Sequence, residues 1–315
     1  MSPFEIILYL VGGLVLLFIG AEGLIRGSSN LAIKMGIAPL VVGLTVVAFG
    51  TSAPELVVSL KAALMGNSSI SLGNVIGSNI ANIALIIGIA SLIRPMDVHA
   101  NVIRREIPIM IGVSVLLILF LIDGEIGFID GLVFVSGLII YLVISVILAL
   151  KEKNPEVDLE FKEGLKSKIG IPLSIILMLV GLGLLVLGAN LFVQSAAAIA
   201  KIFNVSDAII GLTIVAIGTS LPELITSIVA SYKKEADIAI GNVVGSNVFN
   251  ILGILGITAL IIPISSAGIS YVDLSVMLFC AVLLLPLSKT GFSISRFEGG
   301  FLLFGYIIYM YYLIP

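Results

Sequence analysis

Leu8 to Ala21, Ile107 to Ile122, Leu132 to Leu150, Ile171 to Leu187 and Val276 to Leu287 contain no charged residue at all. Runs of this length and composition cannot be hidden in the core of a 315-residue soluble protein, and 59% of the chain is hydrophobic against 11% charged. The mean hydropathy of +1.26 points the same way. In hydrocarbon every backbone N–H and C=O must find an internal partner, which leaves helices and closed barrels. Alternation with period two is absent, so the runs read as helices and the chain as an all-α integral membrane protein. At roughly 20 residues per crossing, about ten transmembrane helices fit. They are expected near 4–33, 39–64, 71–93, 103–122, 128–150, 169–201, 207–231, 238–262, 270–288 and 295–314.

Basic loop residues stay on the cytoplasmic side. With the N-terminus outside, only Lys61 and Lys201 fall outward, and every other Lys and Arg falls inward. The expected topology therefore has both termini outside a cell membrane, with the linker cytoplasmic. The first apolar segment lacks a basic n-region and a small-residue cleavage site, so it is expected to stay as a helix. Cys280, the single cysteine, lies within a span and reads as inert packing.

Residues 41–93 align without a gap to residues 209–261, an offset of 168, with about half the positions identical. Each copy sits in a set of five spans. An odd number makes the second set enter the membrane from the opposite side, so residues 1–150 and 169–315 are expected to be inverted-topology repeats joined by the linker 151–168. The matched motifs cover 43–82 and 211–250. Inverted repeats of this kind bind their cargo near the midplane, where the halves meet.

The strongest match is GTSAPEL, residues 50–56, against GTSLPEL, residues 218–224. Pro54 has no amide hydrogen, so the carbonyl of Gly50 loses its helical donor and the helix must kink or unwind; Pro222 does the same to Gly218. A charged carboxylate at this depth costs at least ~2.5 kcal/mol unless something neutralises it. No Lys or Arg accompanies Glu55 or Glu223 in its motif, so the missing counter-charge is expected to be the cargo. Thr51 and Glu55 stack at i, i+4, and Ser52 adds another oxygen.

The second match is GNVIGSNIAN, residues 73–82, against GNVVGSNVFN, residues 241–250. Gly73, Gly77, Gly241 and Gly245 permit close backbone approach. Ser78 and Asn82, like Ser246 and Asn250, share a face at i, i+4 and present neutral oxygens. Two carboxylates ringed by hydroxyl, amide and backbone oxygens make a hard-cation site suited to Ca²⁺.

These two pairs of motifs resemble the α-repeats of the cation/Ca²⁺ exchanger superfamily, and are most similar to prokaryotic Na⁺/Ca²⁺ exchangers. The resemblance extends in topology over essentially the whole chain. It implies a secondary antiporter that exchanges Na⁺ for Ca²⁺ by alternating access, with Glu55 and Glu223 holding Ca²⁺ together with main-chain oxygens at Thr51 and Thr219. It places Na⁺ sites at Ala48, Ser52, Ser78, Ala216, Ser220 and Ser246, with Asn82 and Asn250 on the wall. It also implies that spans 4–33 and 169–201 slide past the remainder to expose the site to either side. Some relatives carry Asp where this chain has Asn250, so the site here holds two carboxylates rather than three, which argues against K⁺ co-transport. If ~3 Na⁺ replace one Ca²⁺, one net charge crosses per cycle and the membrane potential contributes ~2.3 kcal/mol per 100 mV.

The residues themselves leave two other readings open. A proton can replace Na⁺ on a desolvated glutamate, which gives an H⁺/Ca²⁺ antiporter. A cation channel is the alternative of another class, although channels build their filters from symmetric oligomers and this one chain already holds both halves of a site. An enzyme is not indicated: the single histidine, His99, falls in a loop beside Asp97, and there is no HExxH or cysteine cluster. The expected partners are Ca²⁺, Na⁺ and the lipid bilayer, with no cofactor, nucleic acid or obligate protein partner. Of the remaining charges, Glu22 and Arg26 are expected to pair at i, i+4. Asp123, Glu125 and Asp130 form a solvated turn, Asp207 caps a helix, and the linker is a solvated connector.

Overall fold

Helices dominate the described residues, as the absence of backbone partners in lipid requires. The computed structural model describes residues 2–35, 39–151, 169–202 and 216–313. The expected linker, the cap at Asp207 and the opening of the second motif, 211–215, lie outside these residues.

The first helix, α1, runs Pro3–Met35. A broken pair follows, α2 at Leu40–Thr51 and α3 at Ala53–Leu64, bent by 43° at the break. Next come α4 (Ser68–Ile93), α5 (Ile107–Phe120), α6 (Phe128–Lys151) and α7 (Ile171–Ile202). A second broken pair is α8 (Ala216–Thr219) and α9 (Leu221–Tyr232). The chain finishes with α10 (Ala236–Ile261), α11 (Tyr271–Lys289) and α12 (Arg296–Leu313). Helical segments thus lie in each of the ten expected intervals. Among the described residues six helices are long and apolar enough to cross a membrane, or seven if the pair α2–α3 counts as one span. Four two-residue strands tie loops together: β1 (Met96–Asp97) with β4 (Ser293–Ile294), and β2 (Glu125–Ile126) with β3 (Ile264–Ser265).

Burial divides the helices into a centre and a rim. In α4 and α10, 72% and 83% of the apolar stretch is buried, against 28% for α1, α6 and α7, whose outer faces carry exposed Phe18, Ile140 and Leu179. Those exposed apolar faces suit hydrocarbon, while the polar residues collect at the centre. At facing glycines α1 and α7 meet backbone to backbone. A Cβ on Gly20 would stand 2.7 Å from Gly181 O, and one on Gly13 would stand 2.9 Å from Gly188 O. Small residues let backbones touch in this way, and the contact replaces the hydrophobic drive that lipid cannot supply.

Contacts repeat at the same 168-residue offset found in the sequence. Helices α3 and α9 both end in a turn that returns one N–H to a carbonyl five residues back, Asn67 to Ala62 at 2.9 Å and Glu235 to Ala230 at 2.9 Å. The left-handed position in that turn is taken by Gly66 in the first case and by Lys234, φ 70°, in the second. Beyond the aligned region a similar contact recurs with its acid one residue out of step: Tyr141 on α6 donates to Glu106 at 2.9 Å, and Tyr309 on α12 donates to Asp273 on α11 at 2.8 Å. Glu106 is fully buried and also meets Arg105 at 2.5 Å.

Candidate functional site

The break between α2 and α3 falls at Ser52, whose backbone leaves the helical region at φ −83° and ψ 5°, and the break between α8 and α9 falls at Ser220, at φ −88° and ψ 6°. Pro54 and Pro222 stand two residues later, in the first turn of the next helix. There a missing N–H is tolerated, yet it strips the preceding turn of a donor. The two breaks bring Glu55 and Glu223 into the first turns of α3 and α9, both 1% exposed.

Each glutamate is held by a serine from the other half of the chain. Ser52 Oγ donates to Glu223 Oε1 at 2.9 Å and lies 3.0 Å from Ser246 Oγ; Ser220 Oγ donates to Glu55 Oε1 at 3.0 Å and lies 3.2 Å from Ser78 Oγ. Thr51 shares its hydroxyl hydrogen between Asn242 Oδ1 at 3.0 Å and its own helix at Val47 O, 3.1 Å. Thr219 donates to Asn74 Oδ1 at 3.4 Å. Ala48 is buried and its carbonyl lies 3.5 Å from Ser246 Oγ, while Ala216 opens α8. Ser52, Ser220, Ser78, Ser246, Glu55 and Glu223 therefore converge, with Ser52 and Ser220 each reaching into the other half.

Asn82 and Asn250 complete the wall. Asn82 Nδ2 donates to Asn247 Oδ1 at 2.9 Å and Asn250 Nδ2 to Asn79 Oδ1 at 3.0 Å. Both lie in segments of π-helix, Ala81–Ile87 and Asn250–Leu255, a wider turn that often marks a functional site. Four buried oxygens at this centre have no hydrogen-bond partner among the described residues: Glu55 Oε2, Glu223 Oε2, Asn82 Oδ1 and Asn250 Oδ1. Among the described residues, no ion pair involves either glutamate. Buried acceptors left bare are costly, and four of them, two from carboxylates and two from amides, suit a dehydrated hard cation.

The glycine expectation holds for Gly241 and Gly245. A Cβ on Gly241 would stand 2.8 Å from Leu40 O and one on Gly245 closer still to Leu44 O, so α2 and α10 touch through backbone. Among the described residues a Cβ on Gly73 would meet only Ile269 Cδ1, at 3.6 Å, and one on Gly77 nothing within 4 Å. Elsewhere, Glu22 and Arg26 pair at 2.5 Å, and Glu22 also accepts from Lys233 on the loop after α9. Asp123 and Asp130 accept from the backbone N–H groups of Glu125 and Gly127, in keeping with a turn. His99 sits 3.2 Å from Asp237 rather than serving the centre, and Cys280 is buried and free.

Four asparagines escaped the sequence reading: Asn74, Asn79, Asn242 and Asn247. All are buried or nearly so. The signal was present, since each repeated block carries three asparagines and Asn79 stands at i, i+3 from Asn82 as Asn247 does from Asn250. Ser59 and Ser227, which accept from Asn74 and Asn242 at 2.9 and 3.3 Å, are likewise repeated.

The family model of the sodium/calcium exchanger protein matches residues 5–147 and 173–314. The chain is 40% identical to the putative antiporter CaxA of Alkalimonas amylolytica, over 97% of this chain and 98% of that one. It is 33% identical to the sodium/calcium exchanger MaX1 of Methanosarcina acetivorans, over 96% and 97%. A solved structure of the sodium-calcium exchanger NCX_Mj, soaked with 2.5 mM Na⁺ and 0.1 mM Ca²⁺, superposes with a TM-score of 0.86 at 33% identity, covering 100% of both chains. A multi-pass helical chain with these motifs, this fold and these relatives belongs to the sodium/calcium exchanger family, whose members are transporters and not enzymes.

Proposed function

We propose that this chain exchanges Na⁺ for Ca²⁺ by alternating access, with Glu55 and Glu223 coordinating the ions near the membrane midplane. The observation that carries the reading is the set of four partnerless oxygens, Glu55 Oε2, Glu223 Oε2, Asn82 Oδ1 and Asn250 Oδ1. Two carboxylates balance one Ca²⁺. Thr51 and Thr219 would add main-chain oxygens. Ala48, Ser52, Ser78 and their counterparts Ala216, Ser220 and Ser246 would hold Na⁺ in overlapping positions, so that one kind of ion excludes the other. An empty site with two unpaired carboxylates resists crossing the occluded state, because desolvating them is expensive. That penalty favours exchange over leak.

In this reading ten crossings form two inverted repeats, 1–150 and 169–315, in a lipid bilayer with both termini outside and the linker 151–168 cytoplasmic. The lopsided distribution of Lys and Arg supports that orientation, and the contacts repeated at the 168-residue offset support the repeats. The pair α1–α7, bound to each other through bare backbone, would move as one body against the remainder.

The deciding measurement is Ca²⁺ uptake into vesicles under two gradients. A Na⁺ gradient at constant pH should drive uptake, and a pH gradient without Na⁺ should not. Uptake driven by the proton gradient alone would replace Na⁺ with H⁺ at the same glutamates, and conductance far above carrier rates would make the protein a channel.

A further inference from the structure

An asparagine can serve a cation only if its oxygen, and not its NH₂, faces the ion, and nothing in the amide itself makes that choice. We propose that Asn79 and Asn247 make it for Asn250 and Asn82. They are positioning residues that turn the two wall amides oxygen-first toward the centre. The proposal rests on the ion site described above and deepens it.

The orientation follows from two backbone carbonyls. Asn247 Nδ2 lies 3.4 Å from Asn79 O, and Asn79 Nδ2 lies 3.4 Å from Asn247 O, a reciprocal pair across the halves. A carbonyl oxygen only accepts, so each of these side chains must point its NH₂ there and its Oδ1 the other way. That Oδ1 is the group Asn82 or Asn250 meets, at 2.9 and 3.0 Å. An oxygen in that place demands an NH₂ opposite it, which leaves Asn82 Oδ1 and Asn250 Oδ1 as the free ends, both buried and without a partner. Reversing either wall amide would set oxygen against oxygen at hydrogen-bond distance. Two carbonyls thus fix two intermediate amides, which fix two ligand amides. Outer partners that hold a ligand's orientation commonly change metal affinity when removed.

A carboxylate presents an oxygen whichever way it turns, so a chain with Asp on the wall has no use for the positioning residue. This distinguishes orientation from packing. Equilibrium ⁴⁵Ca²⁺ binding would be measured on purified full-length protein for wild type, N79A, N250D and N79A/N250D, and for the mirror set N247A, N82D and N247A/N82D. N79A should raise the Ca²⁺ Kd about 10- to 100-fold. In the N250D background the same change should leave the Kd within about threefold or lower it, because Asn79 Oδ1 then opposes a carboxylate. Equal losses in both backgrounds would make Asn79 a packing residue and overturn the proposal. So would no loss in either, or an N250D chain that fails to bind with and without Asn79. Should N79A not fold, the mirror set decides by the same comparison. E55Q is the reference for the site itself: wild-type Ca²⁺ binding by E55Q would sink the ion-site reading, independently of how the asparagine variants behave.

Discussion

Ser52 Oγ donates to Glu223 Oε1 at 2.9 Å, and the two residues stand 171 positions apart in the chain. The serine fixes one oxygen of the carboxylate and leaves Oε2 bare. A hydrogen bond to a buried charge contributes about 1.5–3 kcal/mol. S52A and S220A should each lower Na⁺-driven Ca²⁺ uptake about tenfold or more, and by similar factors, because each removes the same contact from opposite sides. A large inequality between them, read in vesicle flux assays, would mean that the two glutamates are not equivalent.

E55Q and E223Q keep shape and remove charge. Each should reduce exchange by about 100-fold or more, since one carboxylate cannot balance a divalent ion, and a hundredfold corresponds to ~2.8 kcal/mol. The melting temperature of purified protein should hold or rise, because a buried charge without a basic partner is relieved. Flux near wild type in either variant contradicts the assignment.

Gly20 and Gly12 offer a matched comparison on α1. A methyl group at Gly20 meets Gly181 O at 2.7 Å and Leu185 N at 2.8 Å, whereas one at Gly12 meets nothing within 4 Å among the described residues. G20A should therefore destabilise by about 1–3 kcal/mol through overpacking and impair transport. G12A should be neutral or stabilising by up to about 1 kcal/mol from helix propensity. Thermal unfolding in detergent reads both.

Y141F removes the hydroxyl that donates to the fully buried Glu106, leaving that carboxylate to Arg105. Y309F removes the equivalent bond to Asp273, which is partly exposed and also accepts from Ser270. Y141F should cost about 1–3 kcal/mol and Y309F less, in the same unfolding measurement.

Much of this architecture was written in local pattern. The uncharged runs forecast the helices, and the duplicated Pro-Glu pair the two helix breaks at Ser52 and Ser220. What stayed hidden depends on which residues meet across the halves. A repeat implies that Ser52 and Ser220 play equal parts, but not that each serves the other half's glutamate. Asn79 and Asn247 went unremarked because what they do depends on partners in the opposite half, a backbone carbonyl and a wall amide each, and spacing within one block does not record that. Tyr141 and Glu106 were missed because their counterparts, Tyr309 and Asp273, are out of step by one residue, so an ungapped comparison does not align both. Lys233 reached Glu22 over 211 positions, a distance at which neighbouring spacing has no reach.

The exchange of partners between halves also sets a timetable. Glu55 receives its hydrogen bond from Ser220, 165 residues later in the chain. At the ~5–20 residues per second of synthesis, a ribosome needs about 10 to 30 s to cover that interval. For that time Glu55 has already been made while its donor does not yet exist. Until residue 220 has been made, water or the insertion machinery must partner that acid, and the contact that ties Glu55 to the other half can form only late in synthesis.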